Sequence, residues 1–161
     1  MAYLRRRQQS STATTPVVEE EEINPSELAA SSPTYYLWPF PLFHPCNVLS
    51  NTNCHWNSGS YAPAFIMLDL GTEPICITRI ELLTEMLPAT GRVQHQIRIG
   101  LTPDTLHSVC VYSGVVNHSE WIQIQLGAHT RRKSRYIEIR TNESPSWVAW
   151  RRIRVWKACQ Q

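Results

Sequence analysis

From residue 65 onward, apolar and polar positions alternate with a period of two. Over residues 93–99, Val93, His95, Ile97 and Ile99 fall on one side, and Gln94, Gln96 and Arg98 on the other. In an extended chain, successive side chains point to opposite faces, so this is the pattern of a half-buried strand. The same reasoning predicts strands over residues 65–70, 75–83, 109–112, 121–126, 135–141 and 148–156. In the fifth of these seven strands, Ile122, Ile124 and Leu126 point inward. In the sixth, Ile137 and Ile139 share a face opposite Tyr136, Glu138 and Arg140. The intervening PATGR, GLTPDT, SGVVNHSE and GAHTRRKS have turn or loop composition. No 3.6-residue period appears after residue 35. Brief strands separated by turn signals predict an all-β sandwich or barrel.

The closing stretch, SWVAWRRIRVW, places Ile153 and Val155 on one face with Arg151, and Arg152 and Arg154 on the other. Two arginines on the outer face of a core strand need no ligand to explain them. Trp147 either caps an open end of the sandwich or stands out as a recognition residue.

Residues 1–34 are poor in apolar residues and rich in Ser, Thr and Glu. They bury too little to offset their ordering entropy and are expected to form a disordered arm. Within it, NPSELAA can form one helical turn capped by Asn24 or Ser26. The arm holds Arg5, Arg6 and Arg7 against five glutamates, whereas residues 35–161 hold twelve Lys/Arg against eight Asp/Glu. An acidic arm can lie transiently on a mildly basic domain, through contacts that salt screens. The domain is placed at residues 35–161. It opens with YYLWPFPLFHP, whose three prolines exclude a helix or a central strand. That segment reads as a strap over the core, with an exposed polyproline-type ligand as the alternative.

Composition narrows the function. A net charge of +2 gives no case for nucleic acid. No run approaches the roughly 18 apolar residues of a membrane helix. The first residues lack the apolar stretch of a secretory signal. Five cysteines at uneven spacing do not form a secreted disulfide framework. The expectation is reduced thiols in a cytoplasmic or nuclear protein that is not secreted.

Six stretches, taken in order, resemble a known family. They are SNTNCHWNSGS around Trp56, IMLDLG with Asp69 and Gly71, and the strand holding Ile77, Ile80 and Leu82. EWIQIQL with Trp121, SRYIEIR with Arg135 and Tyr136, and RRIRVWKAC follow. Over residues 46–159 the chain resembles a discoidin-type (factor V/VIII C-type) domain, a branch of the galactose-binding-like jelly rolls. The resemblance implies a jelly-roll β-sandwich with Trp56 in the core and Asp69 capping the turn at Gly71. It departs from the family at Arg154, where an acidic residue usually follows two positions after Arg152. Extracellular members often pair a cysteine before the first strand with one after the last. Cys159 fits the second position and Cys46 lies nearer the Trp turn than usual. No such bridge is expected in a reducing compartment.

The resemblance also implies ligand binding by loops at one end of the sandwich, here about residues 51–62, 84–92 and 142–147. The candidates are Asn53, His55, Asn57 and Tyr61 in the first loop, Glu85, Leu87 and Arg92 in the second, and Asn142 and Trp147 in the third. Asn, Ser and Gly also serve simply as turn formers in such loops. Leu87 is the one apolar spike of the sort carried by membrane-binding members. A basic patch of Arg131, Arg132, Lys133, Arg135, Arg152 and Arg154 would suit an acidic protein tail, anionic lipid or RNA. A solvated hairpin turn is the plainer reading.

His44, Cys46, Cys54 and His55 match no familiar zinc spacing. The loops hold too few acids for calcium, so neither a metal nor a cofactor is expected. No catalytic motif is present, and no pair of carboxylates sits on a convincing scaffold. The reading is a non-catalytic binding module, in first place a protein-interaction subunit of a larger intracellular complex. Relatives of the fold in ubiquitin-ligase and ciliary-transport assemblies make that role and a ciliary location plausible. The alternative is a lectin-like carbohydrate-binding module, and a jelly-roll hydrolase comes third.

Overall fold

The computed structural model describes residues 19–35, 42–130 and 132–159. Eleven strands follow in chain order: β1 Glu20–Glu22, β2 Ala29–Ser31, β3 Trp56–Asn57, β4 Ala64–Asp69, β5 Ile75–Thr84, β6 Thr90–Gly100, β7 His107–Asn117, β8 Trp121–Gln125, β9 Lys133–Ser134, β10 Tyr136–Glu143 and β11 Ala149–Ala158. They build two antiparallel sheets. One runs β1-β11-β5-β8, with β3 added beside β11 and β9 beside β5. The other runs β2-β4-β10-β6-β7. Among the described residues, the helical elements are short 3-10 turns. The chain is an all-β sandwich.

The period of two places the core as expected. Val93, His95, Ile97 and Ile99 of β6 are each at most 2% exposed. They meet Ile137 and Ile139 of β10, Ile66 and Leu68 of β4, Ile122 and Ile124 of β8, and Ile153 and Val155 of β11 in one buried cluster. Burying a side chain of this size stabilises the fold by about 1.5–3 kcal/mol. Trp56 is wholly buried, and its indole N–H donates to the Thr34 carbonyl at 3.4 Å. Asp69 Oδ1 accepts from the Gly71 amide at 3.0 Å, and Gly71 has φ +95°, where a Cβ would be strained.

Three expectations are corrected. The first is the arm. Residues 19–34 belong to the sandwich: β1 pairs with β11 and β2 with β4, so one short segment edges both sheets. The 3-10 turn Pro25–Glu27, capped by Asn24, crosses between them. The physical reason is that this segment contributes edge hydrogen bonds and charge, not apolar mass. Lys157 meets Glu21 at 2.8 Å, Arg79 meets Glu20 at 3.4 Å, Arg154 meets Glu22 at 3.5 Å, and only Ile23 is sunk in the core. The acidic run is therefore part of the fold and not a transient visitor. Residues 1–18, and residues 36–41 of the aromatic strap, lie outside the described residues.

The second correction concerns two segments read as loops. Residues 90–92 begin β6, and residues 113–117 complete β7, which pairs with β6 from Thr90↔Asn117 to Ile99↔His107. Gly114 and the exposed Val115 hid the strand. The third is Glu138, expected on the solvent side. It is 4% exposed, because Arg98 at 2.9 Å and Arg140 at 3.1 Å close over its carboxylate.

Candidate functional site

At one end of the sandwich, four connections surround a cleft of about 550 Å³. The segment around β3 supplies Phe43, His55, Asn57 and Tyr61. The β5–β6 connection supplies Glu85, Met86, Leu87 and Ala89. The β7–β8 turn gives His118, and the β10–β11 loop gives Ser146, Trp147 and Ala149. Backbone hydrogen bonds tie the walls together: Ser58 N donates to the Val148 carbonyl at 2.9 Å, and Val148 N to the Ser60 carbonyl at 3.0 Å.

The aromatic groups stand out from the walls. Tyr61 is 63% exposed and Trp147 39%. Leu87, at the rim, is 86% exposed. Large rings left in water at a concave site offer flat apolar surfaces to a ligand.

The polar groups are held in place. The His55 ring lies 4.9 Å from the Phe43 ring, centroid to centroid, tilted at 60°. Burial, opposed by the charge of Glu85 and reinforced by those of Arg151 and His118, lowers the His55 pKa below its usual value. His55 is therefore neutral at pH 7, with one ring nitrogen to donate and one to accept. His118 Nδ1 accepts from the Met86 amide at 3.1 Å, which leaves Nε2 as the ring nitrogen free to donate. Asn57 Oδ1 accepts from the Gly59 amide at 2.9 Å, so its NH₂ is the group left to offer. Glu85 Oε2 accepts from Arg151 Nε at 2.9 Å and lies 2.6 Å from Nη2.

Arg151 reaches this position through a β-bulge. The β11–β5 register runs Trp150↔Thr84 and then Arg152↔Leu83, so Arg151 is the extra residue. A bulge re-aims one side chain and resets the alternation after it. Strict alternation would have put Arg151 on the core face with Ile153. The bulge sends it to Glu85 instead.

Of the nine ligand candidates, six line the cleft: His55, Asn57, Tyr61, Glu85, Leu87 and Trp147. Asn53 is exposed in the turn before β3, and Asn142 is exposed on β10. Arg92 points away on β6, 69% exposed and 3.7 Å from Glu143. None of these three lines the cleft. Sequence reasoning missed Arg151 and His118. An arginine in a core-facing register was the available signal for the first. For His118, within SGVVNHSE, there was no signal.

The basic residues do not form one patch. Arg131 lies outside the described residues. Arg135 makes a bidentate pair with Asp69, 2.9 Å on each side, and holds the Asp69 carboxyl below its usual pKa. Arg154 sits 4.7 Å over the Trp121 ring between Glu22 and Glu81, and Arg152 donates to Asn51. Arg132 and Lys133 lie at the β9 edge. His44 caps the 3-10 turn Pro45–Leu49, and Cys46 and Cys159 are free thiols.

No family model matches the sequence, and no curated protein does. Solved structures do. The family 32 carbohydrate-binding module of Clostridium perfringens NanJ, in complex with galactose, superposes with a TM-score of 0.70 at 12% identity, covering 86% of this chain and 99% of that one. The CBM32-5 module of C. perfringens CpGH89, in complex with GalNAc-β-1,3-galactose, gives 0.72 at 9% identity over 84% and 99%. An F5/8 type C domain from Bacteroides fragilis gives 0.70 at 9% identity over 88% and 98%. The chain has the discoidin-type, galactose-binding-like β-sandwich fold that these modules share.

Proposed function

We propose that this chain is a carbohydrate-binding module that takes a neutral, galactose-containing saccharide in the loop-end cleft. The observation that carries this reading is the pairing, in one cleft, of two exposed rings with a fixed set of polar groups. A pyranose has an apolar C–H face and a rim of hydroxyls. Trp147 and Tyr61 suit the face. His55, the Asn57 NH₂, the Glu85 carboxylate and His118 suit the hydroxyls, each of which both donates and accepts.

Charge favours a neutral ligand. Arg151 balances Glu85, and the lowered pKa of His55 keeps its ring uncharged, so neither adds a charge to attract or repel an acid. Two of the solved structures of this fold hold galactose or a galactose disaccharide. That supports the lectin-like reading over the protein-interaction subunit expected first from the sequence, which has no comparable support.

Binding without catalysis is the corresponding reading of the chemistry. A glycoside hydrolase ordinarily needs two carboxyl groups flanking the bond it cuts. Among the described residues, Glu85 is the one carboxylate lining the cleft, and it is engaged by Arg151. A glycan array probed with the full chain tests the proposal. Retention of galactose-terminated neutral glycans, lost on Trp147→Ala, is the expected result. An array without hits removes the reading.

A further inference from the structure

Strand β6 connects two concave places. It starts at Thr90, beside Ala89 of the saccharide cleft, and ends at Gly100, in the wall of a second cleft of about 460 Å³. Ten steps of a strand separate them by about 33 Å. The second cleft is lined by Arg132, Lys133 and His107, with Ser108, Thr130 and Ser134 among its hydroxyls. Among the described residues, no carboxylate lines it. Asp104 is exposed in the turn next to Thr105 but does not contribute to the wall.

Several cations of this sandwich have acidic partners: Arg135 holds Asp69, and Lys157 holds Glu21. Among the described residues, Arg132 and Lys133 have none. Ser134 is buried, and its hydroxyl donates to the Arg132 carbonyl at 3.2 Å, pinning the turn that presents both cations. Thr130 donates to the Gly127 carbonyl at 2.8 Å. Ser108 Oγ accepts from Gln96 Nε2 at 3.1 Å and so keeps its own hydrogen to give. Two uncompensated cations beside a free hydroxyl donor, with no acid in the wall, form an anion receptor.

We infer that this second cleft binds the phosphate or sulphate ester group of a small ligand, with Arg132 and Lys133 as the charge partners and Ser108 as a donor. It is independent of the saccharide cleft, being at the other end of β6. Lys133 also lines a neighbouring concavity, where Lys157 is paired with Glu21.

Isothermal titration calorimetry on the full chain tests this with three probes: glucose 6-phosphate, glucose 6-sulphate and neutral galactose. The two esters distinguish a phosphate from a sulphate source. At least one ester binds, and rising salt weakens it. Lys133→Glu and Arg132→Ala each reduce its affinity about tenfold or more, with the thermal midpoint unchanged. Saturating galactose does not displace it. Failure of both esters to bind, or binding that survives both substitutions, overturns the inference, as does displacement by neutral galactose. The two substitutions lie outside the saccharide cleft, so they leave glycan retention on the array intact.

Discussion

Arg151 sets two guanidinium nitrogens, Nε at 2.9 Å and Nη2 at 2.6 Å, on the same Glu85 oxygen. The grip fixes the carboxylate from one side, and Oε1 carries no hydrogen bond among the described residues. Both side chains are partly exposed, so solvent screens the pair and it adds under about 1 kcal/mol to folding. Its role is orientation. Arg151→Ala is expected to lower affinity for a galactoside about tenfold or more, equivalent to about 1.4 kcal/mol, while the thermal midpoint moves little. Calorimetry and a melt on the same sample check both halves.

The aromatic rings give a second, separable expectation. Trp147→Ala and Tyr61→Ala each remove a flat surface from the cleft without opening the core. Each costs saccharide affinity by about 0.5–1.5 kcal/mol beyond simple area loss. Arg92→Ala and Asn142→Ala, at positions that do not line the cleft, leave affinity unchanged. Equal losses at all four positions would mean that the cleft is not where the saccharide sits.

His95 predicts a pH dependence of stability. Burial pushes its pKa down to about 3, against a usual 6.5, with Nδ1 3.0 Å from the Thr141 hydroxyl. A folded pKa below the unfolded one means that the unfolded chain takes the proton first as pH falls. The contribution is therefore full above about pH 6.5 and declines between there and pH 3, by about 1.4 kcal/mol per pH unit. Asp69 acts in the same sense in a lower window: its depressed pKa loses its stabilisation only as pH falls below 3.8. Urea denaturation of the parent at pH 6.5 and 4.5 should differ by about 2–3 kcal/mol. His95→Gln should be less stable at pH 6.5 and markedly flatter between the two, with His55 supplying a residual slope of the same sign.

The edge strands β1 and β2 give a prediction about length. A chain starting at residue 35 loses both of them, uncovers Val155 where Ile23 N donates to its carbonyl at 2.9 Å, takes Glu21 from Lys157, and leaves Arg79 and Arg154 with Glu81 alone. Burial of Ile23 alone contributes about 1.5–3 kcal/mol. The shortened chain should melt lower than one starting at residue 19, by differential scanning calorimetry. Equal midpoints would return these residues to the status of an arm.

The core was legible because burial in a sandwich repeats every two residues, and β6, β8 and β10 keep that rhythm without a break. What the sequence hid has physical causes. Residues 20–31 hold their places by backbone pairing and by ion pairs to β11 and β5 of the same sheet, neither of which leaves an apolar period. Glu138 looked solvent-facing because the arginines that cover it come from β6 and from its own strand two residues on. The Arg151 bulge shows only as a conflict, an arginine where alternation asks for a core residue. Six cleft residues could be named because the resemblance to discoidin-type domains pointed to the loops at one end of the sandwich. His118 enters from a turn whose side chains carry no pattern at all.

The central claim is that a neutral saccharide occupies the loop-end cleft. Its most direct test is a galactose titration of the isotope-labelled full chain, followed by amide NMR. The account predicts saturable shifts confined to residues around His55, Tyr61, Glu85, His118 and Trp147, abolished by Trp147→Ala. Saturation that leaves these resonances unmoved, or shifts centred at the opposite end of β6, would contradict it.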